Sequence, residues 1–284
     1  MQSQPDRSKK KHVTLSELQR VRIAVVVPAH NEARHIEGVL RTIPSFVDEI
    51  IVVDDASEDD TAGRVTANLQ RDARIRLLRQ PINRGVGAVI ATGYAEALRL
   101  GVDVVAVMAG DGQMDPDDLA PLILAMLRSG ADYVKGDRLA RPESSRRMPV
   151  LRRIGSRVLS RLTSWAAGVE VNDSQCGYTA IRATVLGRLD LDSLWPRYGY
   201  PNDLIGRVVA AGSCIEEVAV AAIYRDERSG LRAWHVPRIV WLIGRVAWRR
   251  IGGSAGSASR SSVAGPASER QPLRPDEAPC PRPR

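Results

Sequence analysis

Residues 23–32, IAVVVPAHNE, decide the fold, because an apolar, β-branched run stops at Pro28 and polar residues follow it. A second run, EIIVV at residues 49–53, stops in the same way at Asp54. Short runs of this kind, alternating with longer helical patterns, are typical of α/β proteins built on a mainly parallel sheet. The carboxyl ends of parallel strands lie along one edge, so we expect the polar residues to share a rim.

Three more apolar runs and four helical patterns continue the alternation. They predict strands at residues 22–27, 49–53, 75–78, 104–108 and 133–135, and helices at residues 32–42, 59–70, 85–100 and 117–129. Gly101 and Gly130 stand where a left-handed helix cap is wanted. The predicted fold is α/β, a Rossmann-like, mainly parallel sheet with helices on both faces, over residues 21–235. Residues 1–20 are expected to be flexible, and residues 252–284, rich in Gly, Ser, Ala, Pro and Arg, to be a disordered tail.

Composition narrows the class of protein. The chain has 284 residues, 44% of them hydrophobic, and three cysteines, too few for a disulfide framework or a four-ligand zinc site. Its formal net charge of +8 favours acidic partners, meaning nucleic acid, phosphorylated small molecules or an anionic membrane. No apolar stretch approaches the roughly 18 to 20 residues that a spanning helix requires, so any work at a membrane is expected to be peripheral.

Polar residues follow the first two strands, and each group has a structural as well as a functional explanation. Pro28–Glu32 could present backbone N–H groups to a ligand, or could form a strand-to-helix turn capped by its asparagine. Asp54 and Asp55 could accept hydrogen bonds from a nucleobase or a ribose hydroxyl. Ser57 and Asp59, which follow, are expected to cap the next helix.

Oxygen-bearing side chains after the fourth predicted strand suit a divalent cation. Asp111 and Gln113 lie in a glycine-containing turn. Mg²⁺ and Mn²⁺ prefer oxygen ligands, commonly one or two carboxylates together with substrate phosphates. Asp115, which precedes Pro116 and two further acids, is expected to cap a helix instead.

In this order, the three motifs resemble those of the family-2 glycosyltransferases of GT-A-type fold, and within them the polyprenyl-phosphate sugar synthases. The resemblance covers about residues 23–250 and includes the glycine turn NRGVG at residues 83–87. It implies a nucleoside-diphosphate sugar donor of the GDP-mannose or UDP-glucose type. It implies donor contacts at Pro28, Ala29, Glu32, Val53, Asp55, Ala109, Gly110, Asp111, Arg138, Arg225 and Arg232, and Mg²⁺ or Mn²⁺ at Asp111 and Gln113. It also implies an acceptor loop at residues 173–178, DSQCGY, with Asp173 near the reacting centre and catalytic together with Asp111.

One position departs from the family. Where the family begins its metal motif with an aspartate, this sequence has Ala109, which leaves one strong carboxylate, Asp111, with further ligands coming from the diphosphate. The reaction that the resemblance implies needs little covalent help. A phosphate acceptor is already anionic at neutral pH and would attack the anomeric carbon in line, inverting it, while a cation at Asp111 and arginines stabilise the leaving diphosphate.

Two basic segments have the spacing of amphipathic helices. The first repeats large apolar residues every three or four positions, at Leu151, Ile154, Val158, Leu159, Leu162 and Trp165. It could pack into the core or lie among lipid headgroups. The second, residues 236–251, combines tryptophans with arginines in the same way. With the resemblance, both favour docking on the cytoplasmic face of an anionic membrane that holds a polyprenyl phosphate acceptor.

The sequence also bears on three other functions. Nucleic acid is not expected as a partner, because only 4% of the residues are aromatic and no recognition motif is present. A glycosyltransferase with a soluble acceptor stays open. A nucleotide-sugar-binding protein without turnover, motivated by Ala109, also stays open.

Overall fold

A computed structural model of the protein describes residues 16–223 and 236–253. Within them, seven strands form one sheet. The strands are β1 Ile23–Ala29, β2 Glu49–Asp54, β3 Ile75–Arg79, β4 Val104–Val107, β5 Tyr133–Asp137, β6 Thr179–Arg182 and β7 Ile215–Ala219. Their order is β3-β2-β1-β4-β6-β5-β7, and β6 runs antiparallel to both neighbours while the other pairings are parallel. The predicted mainly parallel sheet is confirmed.

Helices cover both faces of this sheet, as predicted. They are α1 Ile36–Thr42, α2 Thr61–Leu69, α3 Val86–Arg99, α4 Leu119–Ser129, α5 Pro142–Arg147, α6 Val150–Ala167, α7 Ala183–Leu186, α8 Tyr200–Ala210 and α9 Val236–Gly253. Successive side chains of β1 point to opposite faces: Val25 packs with the core under α1, α2 and α4, and Val26 with the core under α3, α6, α8 and α9. A strand buried on both sides must be apolar throughout, which explains the unbroken run that identified it.

Five strands coincide with the predicted runs, and two further strands, β6 and β7, were not predicted. Gly101 and Gly130 have the left-handed backbone expected of them, with φ of 66° and 75°. Helix α1 begins at Ile36, four residues after the predicted start at residue 32. Residues 33–35 form a turn instead. Asp115 caps the short helix Pro116–Asp118, as predicted, by accepting from Asp117 N at 3.0 Å.

Helix α9 packs against α6 and α8 and closes the fold. None of the helices in the described part of the chain combines the length and the apolar character needed to cross a bilayer. The flexible segment predicted at residues 1–20 and the tail predicted at residues 252–284 lie largely outside the described residues.

Candidate functional site

The carboxyl ends of β1, β2 and β4 open into a cleft of about 550 Å³, here called the donor cleft. Its wall consists of Pro28, Ala29, His30, Glu32, Asp55, Asn83, Gly85, Val86, Val89, Ala109, Gly110, Asp111, Trp195, Arg197, Tyr198 and Arg238. Most of the predicted donor residues therefore lie together. Val53 does not, because its side chain is fully buried in the core.

The loop after β1 is held by hydrogen bonds to the loop after β2. The backbone N–H groups of Asn31, Glu32 and Ala33 donate to Ser57 Oγ, Thr61 Oγ1 and Asp59 Oδ2 at 2.9, 2.8 and 3.0 Å. In return, the side chain of the asparagine accepts from Glu58 N at 2.9 Å. These bonds replace the predicted helix start, and Ser57 holds this loop instead of capping the next helix. Asp59 does both, because its other carboxylate oxygen accepts from Thr61 N, at the start of α2, at 3.0 Å, as predicted. The bonds between the two loops also occupy the N–H groups that were candidates for a ligand.

Asp55 fixes the glycine turn from the floor of the donor cleft. One carboxylate oxygen accepts from Arg84 N at 2.7 Å and the other from Gly85 N at 2.8 Å. Gly85 has a φ of 93°, which favours glycine. Asp54 serves the scaffold instead, because it is fully buried and its carboxylate contacts Ser57 N and the Arg79 guanidinium.

A second cleft adjoins the first, and Asp111 lines both. We call it the acceptor cleft because Gln175 and Gly177, from the predicted acceptor loop at residues 173–178, line it. It is walled by Pro28, Val86, Ile90, Val107, Ala109, Asp111, Gln113, Met114, Arg138, Arg152, Ser156, Gln175, Gly177, Tyr198, Gly199, Tyr200 and Pro201. Arg152 and Ser156 come from α6, so the basic helix contributes a cation to this cleft. Burial, together with the negative charges of Asp111 and Glu32, raises the pKa of Tyr198, whose hydroxyl therefore stays protonated at the junction.

The side chains around Asp111 offer a small oxygen donor set for a metal ion. Asp111 and Gln113 share a turn in which Asp111 Oδ1 accepts from Gln113 N at 3.0 Å. No group of three or more His, Cys, Asp or Glu side chains suited to a metal occurs among the described residues. One carboxylate and one amide fit an ion that takes its remaining ligands from a diphosphate.

Behind the acceptor cleft, Arg138 is joined to Asp173. Asp173 is fully buried and does not line either cleft. Burial opposes its ionisation, but the Arg138 guanidinium outweighs burial and lowers the pKa of the carboxyl. Glu217 supports the same loop by accepting from Asp173 N at 3.0 Å, and burial raises the pKa of Glu217. Lys135, also fully buried, donates to the Cys176 carbonyl.

A second buried carboxylate ties α9 to the body of the protein. Asp203, on α8, is fully buried and binds three guanidinium groups, those of Arg207, Arg245 and Arg249, at 2.9, 3.1 and 2.9 Å. Burial opposes the charge, and the arginines more than compensate, so the pKa of Asp203 is lowered. No sequence pattern predicted this cluster, because Arg245 and Arg249 lie more than forty positions from Asp203.

Helices α6 and α9 carry large apolar side chains on the protein surface. On α6 the small residues Ser156, Ser160 and Thr163 face inward, while Leu151 and Trp165 are 84% and 69% exposed. Of the predicted apolar stripe on this helix, Leu159 alone is buried among the described residues, so the core-packing alternative is wrong for the rest. On α9, Trp241 and Trp248 are 56% and 75% exposed. Arg250 Nη1 donates to the Trp165 carbonyl at 2.9 Å and joins the two surfaces.

Three arginines at the clefts were not singled out by any sequence motif: Arg152, Arg197 and Arg238. The basic composition of residues 135–161 could have suggested the first, but not which arginine turns inward. Arg225 and Arg232, the predicted phosphate contacts, lie outside the described residues.

Known proteins resemble this chain in sequence and in fold. The family model described as Glycosyl transferase family 2 matches residues 24–190. A UDP-N-acetylglucosamine–dolichyl-phosphate N-acetylglucosaminyltransferase of Methanococcus voltae is 28% identical over 218 residues, covering 72% of this chain and 86% of the relative. The undecaprenyl-phosphate mannosyltransferase of Micrococcus luteus is 29% identical over 217 residues, covering 72% and 85%.

Among solved structures, glucosyl-3-phosphoglycerate synthase from Mycobacterium tuberculosis, crystallised with Mn²⁺, UDP-glucose and phosphoglyceric acid, has a TM-score of 0.61 at 20% identity. The match covers 88% of this chain and 86% of that one. At this identity the likeness concerns the fold.

Proposed function

This chain belongs to glycosyltransferase family 2, and on that premise we propose that it transfers a hexose, with inversion, from a nucleoside-diphosphate sugar to a polyprenyl phosphate at a membrane surface. The observation that carries the proposal is the position of Asp111 between two clefts. The donor cleft lies on one side of it, and a cleft with Arg138 and Arg152 lies on the other. A reaction between a bound sugar nucleotide and an anion needs such a junction.

The chemistry forms one bond and breaks one. A phosphate oxygen of the acceptor attacks the anomeric carbon, and the carbon–oxygen bond to the donor's β-phosphate breaks, its electron pair leaving with the nucleoside diphosphate. No proton has to be removed, because the acceptor is already an anion at neutral pH. The guanidinium groups of Arg138 and Arg152 would hold its phosphate, for which arginine is well suited.

Two of the buried carboxylates, Asp173 and Asp203, are poorly suited to serve as the general base that a hydroxyl acceptor would need. A hydroxyl acceptor generally needs a general base with a pKa near neutrality. Asp173 and Asp203 are both bound by arginine and have lowered pKa values, which makes them weak bases. Asp173 is therefore proposed to act through Arg138, as a positioning residue, and not on the substrate itself.

A divalent ion, Mg²⁺ or Mn²⁺, would be held by Asp111 and Gln113. When bound with the donor, such an ion neutralises charge on the departing diphosphate. A structural neighbour crystallised with Mn²⁺ and UDP-glucose is consistent with the use of a divalent ion. Tyr198, at the same junction, would donate a hydrogen bond to the donor.

The surface of α6 and α9 supports a peripheral position on an anionic membrane, on its cytoplasmic face. Exposed tryptophans and leucine with neighbouring arginines suit the lipid headgroup layer. Arg152 lies on the helix that carries exposed Leu151, so a phosphate in the acceptor cleft would lie close to this apolar surface. The two relatives named above for dolichyl and undecaprenyl phosphate fit the same acceptor class.

A transfer assay tests the proposal. The purified full chain is incubated with radiolabelled GDP-mannose, UDP-glucose or UDP-N-acetylglucosamine and with undecaprenyl or dolichyl phosphate in detergent. Organic-extractable label is expected with at least one donor. Arg152→Gln should lower kcat/KM for the acceptor by about tenfold or more. Arg157→Gln, an exposed position of the same helix that does not line the clefts, is the matched control and should stay within about twofold.

Other outcomes separate the alternatives. Label found only in a water-soluble product would point to a soluble acceptor, and donor binding without any transfer would point to a non-catalytic binding protein. Flotation with vesicles containing anionic phospholipid tests the membrane surface separately. The double substitution Leu151→Ser and Trp165→Ser should reduce flotation, whereas Ile82→Ser, which removes an exposed apolar side chain elsewhere, should not.

A further inference from the structure

Two arginines of the donor cleft, Arg197 and Arg238, have no part in the motifs that identified the site. Both are exposed and line the cleft that also contains Ala109 and Asp111. Within the described residues neither forms an ion pair, whereas Arg138, Arg207, Arg245 and Arg249 are all bound to buried carboxylates. An exposed guanidinium group that faces a cleft and is not bound to a carboxylate can bind an anionic ligand.

The backbone that carries Arg197 is fixed from two sides. On one side, Ala88 N donates to the Pro196 carbonyl at 3.1 Å, so the loop rests on the glycine turn that Asp55 holds. On the other side, Trp195 N donates to Asp203 Oδ2 at 3.0 Å. Arg197 therefore stands on a rigid loop between the glycine turn and the Asp203 cluster.

The helix that carries Arg238 is anchored to the same cluster. Arg245 and Arg249 of α9 bind Asp203, and the ring of Trp241 lies 5.9 Å from that of Trp195. Arg238 lies two helical turns before Arg245, on the side of the cleft. One cluster thus brings two arginines that are far apart in sequence to one cleft wall.

We infer that Arg197 and Arg238 bind the diphosphate of the donor and stabilise the charge that develops on it as it leaves. This rests on the proposed function and adds the part of the site that handles the leaving group. A pair of guanidinium groups supplies the same formal charge as a divalent ion and can bind phosphate oxygens through two N–H groups each. With Ala109 in place of a second carboxylate, the site holds a metal ion less tightly, and the pair supplies positive charge directly to the diphosphate. Nucleotide binding here therefore depends less on metal than in a site with two aspartates.

Equilibrium binding of UDP and of GDP to the full chain tests the inference without relying on turnover. Titration calorimetry is run in excess EDTA and in excess Mn²⁺. In EDTA, the unmodified protein should bind one of the nucleotides, Arg197→Gln and Arg238→Gln should each weaken binding about threefold or more, and the double variant about tenfold or more. Arg238→Lys should recover part of the loss. Arg157→Gln is the control and should bind as the unmodified protein does.

Ala109→Asp adds a second arm. This substitution should make the nucleotide affinity more dependent on Mn²⁺. Combined with both arginine substitutions, it should reduce their effect on binding in Mn²⁺. Binding that needs Mn²⁺ in the unmodified protein, or an unchanged affinity of the double variant in EDTA, would overturn the inference. Failure of both nucleotides to bind in either buffer overturns it together with the donor class. Arginine-dependent nucleotide binding without any lipid-extractable product would contradict only the proposed polyprenyl phosphate acceptor and would support the inference.

Discussion

Arg138 grips Asp173 through two parallel hydrogen bonds, with Nε 2.7 Å from Oδ2 and Nη2 2.9 Å from Oδ1. The backbone N–H of Arg138 donates to the same carboxylate at 3.2 Å. The pair joins the end of β5 to the loop at residues 173–178, so the orientation of one wall of the acceptor cleft depends on a residue that does not face the cleft. A contact of this kind fixes the orientation of the guanidinium at the wall of the cleft.

Removing the charge of Asp173 should therefore affect acceptor use more than donor use. Asp173→Asn is expected to lower kcat/KM for polyprenyl phosphate by about tenfold or more and to leave the nucleotide Kd within about twofold. It should also lower the free energy of unfolding by up to about 3 kcal/mol, because the partner guanidinium loses its buried counter-charge. Transfer kinetics, titration calorimetry and urea unfolding measure the three quantities. An unchanged acceptor dependence would contradict the positioning role.

Gly87 is the position where a side chain is least tolerated near the donor cleft. A Cβ there would lie 2.0 Å from the Trp195 carbonyl oxygen, a backbone atom that cannot move without displacing the Arg197 loop. Gly87→Ala should cost about 2 kcal/mol or more of stability and weaken nucleotide binding. The matched control is Gly38→Ala, inside helix α1 with nothing within 4 Å of the new Cβ. It should be neutral, or should stabilise by up to about 1 kcal/mol. Equal effects in thermal unfolding would refute the close-approach argument.

The features that the sequence predicted well are those that repeat locally. Strands β1 and β2 are buried on both faces and read as continuous apolar runs. Strands β6 and β7 escaped prediction for opposite reasons. The first is only four residues long, and the second, Ile215–Ala219, contains two glutamates and lies at the edge of the sheet. Tertiary pairing, and not local pattern, makes them strands.

The strand-end residues of the site could be predicted from the sequence, whereas the contacts between distant elements could not. Pro28, Asp55 and Asp111 follow buried strands, and their arrival at one rim follows from a parallel sheet. Arg197 and Arg238 reach the same cleft from the loop before α8 and from α9, and both of these elements bind Asp203. No periodicity in the sequence encodes a contact of that kind.

Asp111 is the carboxylate on which the proposed metal use depends, since position 109 is an alanine. Asp111→Asn should lower kcat by about a hundredfold while the nucleotide Kd changes by less than about fivefold, because charge stabilisation grows as the diphosphate leaves. Steady-state transfer and calorimetry give the two numbers. Asp115→Asn, at the neighbouring helix cap, controls for disturbance of the turn and should keep kcat within about threefold. Equal losses of kcat and of affinity would argue against a role confined to the transition state.

The charge of Asp203 should make the free energy of unfolding depend on pH. Its pKa in the folded protein is lowered, so the stabilisation is complete above the ordinary carboxyl value of about 4 and is lost as the pH falls below it. Because two of its arginines are partly exposed, solvent screening keeps the cost of Asp203→Asn near the lower end of that for buried pairs, about 2 to 3 kcal/mol at pH 7. The difference in unfolding free energy between the two proteins should be constant from pH 6 to 8 and should shrink as the pH falls below about 4, because the unfolded chain then binds a proton at Asp203 that the folded protein still excludes. Glu96→Gln, which breaks a surface pair with Arg99, should cost less than about 1 kcal/mol. Protease cleavage within α9 should accelerate in the Asp203 variant and not in the Glu96 variant, since Asp203 binds two arginines of this helix.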